Sequence, residues 1–427
     1  MKKRFLAMVL SASMVTLMLT GCGSSSKDAS STTTAAGSAA TTAAASGEKE
    51  NVSLTLWGAE EDQDLLNEMV ESFKTQYADK ATFDIQIGVQ SESTAKDTVL
   101  TDIEAAADVF AFADDQINSL VAAGALQPVQ DTDLITTSNI ASSVDAATVN
   151  GTLYAYPMTA DNGYFMFYDA EYFTDDDVKT MDGMLAAAEK AGKKITMDFS
   201  SGWYTASFFL GAGLNLGLAD DGLTNICNWN ATDTTVKGVD VGNAMLAIAQ
   251  NSSFVSLTDA EFVTGIQDGS IIAGVNGVWN ATAAQTAWGD NYRAAKLPTY
   301  TCGGSQVQMG SFAGFKLLGV NAYSKNVGWA MLLAEWITNE ANQTLRFNER
   351  AQGPSNINAA ASSDVQASPA IAALAAQADY AVAQRVGGNF WDPATTFGTI
   401  ISSGNPDGTD MQTLLDNLVS GITAAAQ

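Results

Sequence analysis

Carboxylates are the groups in this sequence with the widest chemical capacity, and two sets of them fall just beyond apolar runs. Glu60, Glu61 and Asp62 follow the alternating Val52, Leu54 and Leu56, while Asp114, Asp115 and Gln116 follow "DVFAFA". Another acid, Asp161, stands with Asn162 and Gly163 inside "AYPMTADNGYFMFYDAEYF" (Ala155 to Phe173), where seven of nineteen residues are Phe or Tyr. Paired carboxylates can run acid–base chemistry, as in glycoside hydrolysis. They also accept hydrogen bonds from hydroxyl groups more strongly than neutral acceptors do. The competing use of the first two sets is helix capping, for which Asp62 or Asp64 is best placed. For Asp161, Asn162 and Gly163 it is a turn. The 427 residues include no His, which excludes His-based triads, His zinc sites and His acid–base catalysis.

Elements must aim these acids. The alternation at Val52–Leu56 predicts a strand, and Leu65, Leu66, Met69, Val70, Phe73 and Tyr77 recur at helical spacing behind it. Phe83, Ile85, Ile87 and Val89 alternate again, a helix-like stretch covers Ser93 to Ala106, and "DVFAFA" has the composition of a buried strand. Ile117, Leu120 and Val121 open a further helix, which Gly124 ends. Such repetition predicts an α/β layer with a parallel sheet, whose ligands bind beyond the carboxyl ends of the strands. Both acid sets then point at one rim. Strands and helices succeed one another in the second half as well. There "KKITMDF" leads to Trp203 and Tyr204 at a helix start, "SIIAGVNGVW" runs into Trp279, and "GSFAGFKLLGVNA" forms another strand. Trp329, Leu332, Leu333 and Trp336 share one helix face and are expected in a core. "GAGLNLG" (Gly211 to Gly217) has the wrong spacing for a dinucleotide loop and is expected inside an apolar helix.

The start of the chain is different in kind. Lys2, Lys3 and Arg4 precede the apolar run Phe5 to Leu19, and Leu19-Thr20-Gly21-Cys22 closes it. The run is too short for a spanning helix and reads as a secretory signal, residues 1–21. It resembles the bacterial lipoprotein box, in which the Cys, here Cys22, becomes the lipidated first residue. Residues 22–47 are Ser, Thr, Ala and Gly with little apolar bulk; such a tether is expected to stay disordered, spanning roughly 25–30 Å. Net charge is −27, or −30 once Lys2, Lys3 and Arg4 are gone. A body so acidic repels nucleic acid and polyanions, and favours a neutral or cationic ligand. Cys227 and Cys302 are expected as free, buried thiols.

The stretches "LTLWGAEED", "ADVFAFADDQINSLVAAGALQPV", "GTLYAYPMTADNGYFMFYDAEYF", "GSIIAGVNGVW", "GSFAGFKLLGVNA" and "NFWDPATTF", in this order and spacing, carry a family resemblance. The chain resembles the extracellular solute-binding proteins of ABC importers, in particular the maltose and maltodextrin group. The resemblance implies an α/β fold of two lobes joined by hinge crossings, a ligand cleft between them, no catalysis and no cofactor. The first lobe would take residues 48–160 and 313–354, the second 161–312 and 355–427. Pro157 would end a first-lobe strand, Met158 to Gly163 would form a hinge, and Asp161 would sit at the cleft floor as a sugar-binding carboxylate. Gly310, Gly314 and Gln352 to Asn356 are candidates for the other crossings. Partners would be a neutral oligosaccharide, the permease, and the membrane through the lipid on Cys22. The protein would act as a monomer at the extracellular face of a bacterial cell membrane.

A pyranose has apolar faces that flat rings can cover, at roughly 25 cal/mol per Å², and a belt of hydroxyls that suits charged acceptors. By the resemblance the rings are Trp203, Tyr204, Trp279 and Trp391 from the second lobe and Phe112 from the first. Trp391 also stands in "GGNFWDP", a loop-like setting unusual for a core Trp. The polar contacts would be Glu60 or Glu61, Asp114, Asp115, Gln116, Asp161 and Asp392. Gln116 stands where the best-known maltose pattern has Arg, and Ser200, Ser201 and Gly202 replace an acid before the stacking Tyr. The sugar is therefore left open between α-glucans and another neutral oligosaccharide. Rival classes are a secreted glycosidase, a structural surface lipoprotein, and a peptide or amino-acid binder. The last needs a fixed cation, and none of the expected site residues is Lys or Arg.

Overall fold

The structure, a computed structural model, describes residues 49–425. The expected signal (1–21), tether (22–47) and lipidated Cys22 lie outside the described residues. Among the described residues no helix is long and apolar enough to cross a membrane. The sequence patterns set the local elements of the first half. Val52, Leu54 and Leu56 point inward along the strand Glu50–Gly58, and helix Gln63–Gln76 buries Leu65, Leu66, Met69, Val70 and Phe73 against it. The predicted helix over 93–106 is only Ala95–Thr101.

One ten-stranded mixed sheet carries the fold. Its path runs Phe254–Val255, Lys194–Thr196, Ile271–Gly277, Ala155–Asp169, Ser311–Val320, Val109–Ala113, Glu50–Gly58 and Ala81–Val89. The outer members are parallel, as the strand–helix repetition predicts. The two middle strands, Ala155–Asp169 and Ser311–Val320, are antiparallel to each other and to their neighbours in the path, which corrects the all-parallel expectation. Three buried clusters flank the sheet. One draws on residues 52–158 and 317–337; the other two draw on residues from 164 onward.

The aromatic stretch at Ala155 resolves into a single strand of fifteen residues, with no turn at Asp161-Asn162-Gly163. Successive side chains of a strand point to opposite faces. Tyr164, Met166 and Tyr168 therefore enter one cluster and Phe165 and Phe167 another. Both faces are covered, so the apolar run shows no alternation. Pro157 lies within this strand opposite Leu317, and the register slips at Gly314/Lys316 and Lys316/Leu317. Proline gives no ladder donor, and an irregular register is where a sheet tolerates it. The segment at Gly353 crosses beside it: Ala160 donates to the Gly353 carbonyl at 2.9 Å, and the Gly353 N–H donates to the Asp161 carboxylate.

That crossing is tied to the first helix by charge. Asp62, 2 % exposed, stands at the N-cap position of this helix, but its side chain makes no capping hydrogen bond. It pairs with Arg346 and with Arg350 at 3.2 Å, and Gln352 accepts from Arg346 at 3.0 Å. Burial disfavours the Asp62 charge, but Arg346, Lys316 and Arg350 outweigh it and hold its carboxyl below the ordinary range. Cys302 is buried, Cys227 is half-buried, and both are free. Helix Gly202–Gly211 ends where "GAGLNLG" begins, so that segment is a turn leading into Leu216–Leu218 and not helix interior. Trp329 and Trp336 pack, half-buried, on the first cluster.

Breaking a buried ion pair leaves an uncompensated charge. Arg346→Ala is expected to cost about 3 kcal/mol in urea unfolding near neutral pH. The Asp62 contribution is complete above its ordinary value and disappears only as pH falls through the lowered one. The gap between parent and variant should therefore close in strong acid, and a pH-independent gap would contradict this origin.

Candidate functional site

Both acid sets sit where the strands end. Glu60–Asp62 forms a 3-10 turn after the strand Glu50–Gly58, and Asp114–Gln116 forms one after Val109–Ala113. From the second half, Trp203 and Tyr204 open helix Gly202–Gly211. Trp279 lies in the turn Val278–Asn280 after strand Ile271–Gly277, and Trp391 and Asp392 open helix Trp391–Ser402. Gly202 brings two of these helix starts together, because a Cβ there would lie 2.7 Å from Ala394 Cβ.

These groups converge on a cavity of about 660 Å³. Glu61, Asp115, Gln116, Trp203, Tyr204, Trp279, Trp391 and Asp392 line it. Glu60 is exposed and off the wall, which separates the two glutamates. Three further expected residues do not face the cavity. Phe112 is fully buried in the first cluster, because both faces of its strand are covered. Asp114, 1 % exposed, lies behind the wall, where its carboxylate pairs with Arg385 at 2.7 Å and accepts from the Phe315 N–H at 3.2 Å. Asp161 is also 1 % exposed, holds the Gly353 crossing, and is not on the wall. Gln116 is on the wall, but its amide is used internally, donating to the Glu92 carbonyl at 2.6 Å and accepting from Lys96 N–H at 2.8 Å.

Sequence reasoning missed Asp259. Its carboxylate accepts from Tyr204 Oη at 2.9 Å, Asn276 Nδ2 at 2.9 Å and Trp279 Nε1 at 3.1 Å. One anion thus fixes two of the aromatic groups. In sequence it is only the first residue of a helix with a Thr258/Glu261 capping box, and nothing local marks it. Lys316 was missed too, although a lysine inside "GFKLLG" is a visible anomaly in a buried strand. It is 7 % exposed, lies 3.4 Å from Glu92, and sits 5.8 Å from the Trp279 ring centre. Burial opposes its charge, but Glu92, Asp62 and Asp161 hold its pKa above the ordinary value. Lys96 also lines the cavity, 3.1 Å from Asp97. The expectation of a cation-free site is therefore corrected, but both lysines already face carboxylates.

Seven lining side chains are carboxylates against two lysines, so the cavity is net anionic and disfavours anionic ligands. Two buried polar atoms of wall residues have no partner among the described residues, Asp115 Oδ1 and Trp203 Nε1. One accepts and the other donates, and a hydroxyl-bearing ligand complements both. Burial, and then the adjacent Asp114 carboxylate, push the Asp115 carboxyl up to about 7, against Lys96 and Gln384. The Trp203 indole stacks on Phe312 with centres 5.4 Å apart, and Tyr164 meets it edge-on at 5.2 Å. Tyr204 is 3 % exposed, so it serves more as a support than as an open ring.

Residues 68–373 match the family model of the bacterial extracellular solute-binding proteins. The chain belongs to that family. Its members bind solutes and are not enzymes. This solute-binding protein is 26 % identical over 324 residues to the galactooligosaccharide-binding protein of Bacillus subtilis (strain 168), covering 70 % of this chain and 72 % of that one. Among solved structures it is similar to one described as "with acarbose". That match has 31 % identity and a TM-score of 0.77, and covers 88 % of this chain and 99 % of the other. It is also similar to the maltodextrin binding protein of L. casei BL23 without ligand, at 25 % identity and a TM-score of 0.71, over 88 % of this chain and all of that one. The fold is accordingly the two-lobed α/β fold of the periplasmic sugar-binding proteins.

Two outcomes follow from this geometry. Asp259→Ala leaves the buried Tyr204 and Asn276 and the half-buried Trp279 without their acceptor and is expected to destabilise the protein by about 1–3 kcal/mol; an unchanged urea midpoint would rule out the anchoring role. For Asp115, the folded state keeps its proton to about pH 7, while an unfolded carboxyl loses it near 3.8. Its contribution to stability therefore falls as pH rises between those values. Asp115→Asn should gain stability over the parent at pH 8 relative to pH 5, and an equal difference at both pH values would contradict the shift.

Proposed function

We propose that this protein binds a neutral oligosaccharide, of the maltodextrin class, in the 660 Å³ cavity and delivers it to an ABC permease. The observation that carries the reading is the meeting in one cavity of three indoles, Trp203, Trp279 and Trp391, with carboxylates from the other half, Glu61 and Asp115. Indoles remove the apolar faces of a sugar from water, and carboxylates accept from its hydroxyls. The acarbose-associated and maltodextrin-binding relatives support this ligand class. The Bacillus subtilis relative supports a second reading within the same chemistry, a galactooligosaccharide.

In this proposal the lobes are residues 48–160 with 313–354 and residues 161–312 with 355–427. They close about the two long strands and the Gly353 crossing, and a ligand bridging them selects the closed state by its differential affinity. A lipid on Cys22 holds the protein, as a monomer, at the extracellular face of the membrane.

The test is intrinsic Trp fluorescence during titration with maltose, maltotriose, longer dextrins and galactooligosaccharides. Saturable change with dextrins supports the first reading, and with galactooligosaccharides alone the second. A flat response to every glycan removes both. Trp279→Ala and Trp391→Ala should each weaken binding at least about tenfold, or 1.4 kcal/mol. Unchanged affinity in both would take these rings out of the site.

A further inference from the structure

Seven carboxylates line the cavity, and all but one are either open to water or supplied with a partner. Glu61 and Asp392 are exposed. Asp97 faces Lys96 at 3.1 Å, and Glu92 faces Lys316 at 3.4 Å. Asp198 accepts from the Ser200 N–H at 2.9 Å and from the Ser200 hydroxyl at 2.6 Å. Asp259 holds the three donors described above. Asp115 is the one left over: its Oδ1 is buried and has no partner among the described residues. We propose that Asp115 carries a proton while the cavity is empty and gives it up to solvent when a sugar hydroxyl donates to Oδ1, so that carbohydrate binding is linked to pH. The proposal rests on the carbohydrate reading above.

The groups around Asp115 account for the proton. Its neighbour in the turn, Asp114, sets a second carboxylate beside it. The cations on or behind this wall are already paired: Lys96 with Asp97, Lys316 with Glu92, and Arg385 with Asp114 at 2.7 Å. Gln384, from the segment after strand Ala381–Ala383, spends its carbonyl oxygen on Asn162 at 3.1 Å, and its neutral amide is what approaches Asp115. Across the cavity the second half contributes Asp198, Asp259 and Asp392, which add only negative charge. A buried carboxyl with a like charge beside it and no free cation favours its neutral form. Burial and the Asp114 charge accordingly push Asp115 up to about 7, and Lys96 and Gln384 do not offset them. A sugar hydroxyl reverses the preference, because a hydrogen bond donated to the charged form stabilises that form. A neutral ligand thereby supplies the donor that the wall withholds, without adding a charge of its own.

The test is calorimetric titration with maltotriose, and with a galactooligosaccharide of the same length, at pH 6, 7 and 8. At each pH it is repeated in buffers of different ionisation enthalpy, which separates proton release from the heat of binding. About one proton should leave per sugar bound at pH 6, and almost none at pH 8. Affinity should rise about tenfold from pH 6 to pH 8, the change expected when the empty site titrates at about 7 and the complex is ionised. Asp115→Asn keeps an acceptor oxygen but does not titrate, so its affinity should be flat over this range with no proton released. A second measurement needs no variant: infrared difference spectra of the parent at pH 6 should lose a protonated-carboxyl band when maltotriose, or the galactooligosaccharide if only that binds, is added. Binding by the parent with no proton released, release that persists in Asp115→Asn, or no loss of the carboxyl band overturns the proposal and leaves the carbohydrate reading intact. Binding of neither sugar at any pH removes both.

Discussion

The ammonium of Lys316 is the charge on which the arrangement of the cleft depends. It lies inside a strand that traverses both halves of the sheet, 3.4 Å from Glu92, with Asp62 and Asp161 also raising its pKa. Without that positive charge Glu92 would lose its ion-pair partner, and it and Asp161 would face the acids around them with only the arginines held by Asp62, Arg346 and Arg350, nearby. Burying an ammonium costs several kcal/mol after relaxation, so it persists only where opposite charges surround it. The same group stands 5.8 Å from the Trp279 ring centre. An ammonium near an indole face is favourable, so Lys316 couples the acid cluster to an indole of the cavity wall.

A second anion organises the opposite wall. Asp259 gathers the hydroxyl of Tyr204, the amide of Asn276 and the indole N–H of Trp279. These donors come from a helix start, a strand and a 3-10 turn. Holding them on one carboxylate pre-orients the wall, so that a ligand does not have to order it on binding. The rigidity differs between rings. Trp279 is tied through its nitrogen, whereas Trp203 is held by apolar contact, stacked on Phe312 and met edge-on by Tyr164, and its Nε1 has no partner among the described residues.

Much of the fold can be read in the residues. Val52, Leu54 and Leu56 alternate because one face of their strand is buried, and the helix behind them is periodic for the same reason. The reading failed where burial erases the period. Phe112 lies in a strand buried on both faces, so nothing in "DVFAFA" tells a core ring from a ring at the rim. The long strand likewise hides its continuity, since Asp161-Asn162-Gly163 has the composition of a turn. What overrides that local preference is pairing with Ser311–Val320 and with Gly353, more than a hundred residues away. The cavity itself was legible where residues sit at element ends, as with Glu61, Asp115, Trp203, Trp279 and Trp391. Asp259 was not, because its role is defined by donors that only the tertiary fold assembles.

The continuity of the two long strands also constrains how such a molecule could open and close. A loop hinge absorbs motion in a few free dihedrals, but here the path between the halves is hydrogen-bonded sheet on two strands. The weak points of that sheet are specific. The register slips on either side of Lys316, and Pro157, which has no N–H to give, stands opposite Leu317. Missing or irregular ladder bonds lower the cost of twisting at those residues. Lys316 sits at the same place, with its charge directed into the cleft acids. In the proposed closure, the point where the sheet yields and the point where its charge meets the ligand cavity coincide. A ligand that changes the hydration of Glu92 or Glu61 would then act on the residue about which the strands can bend.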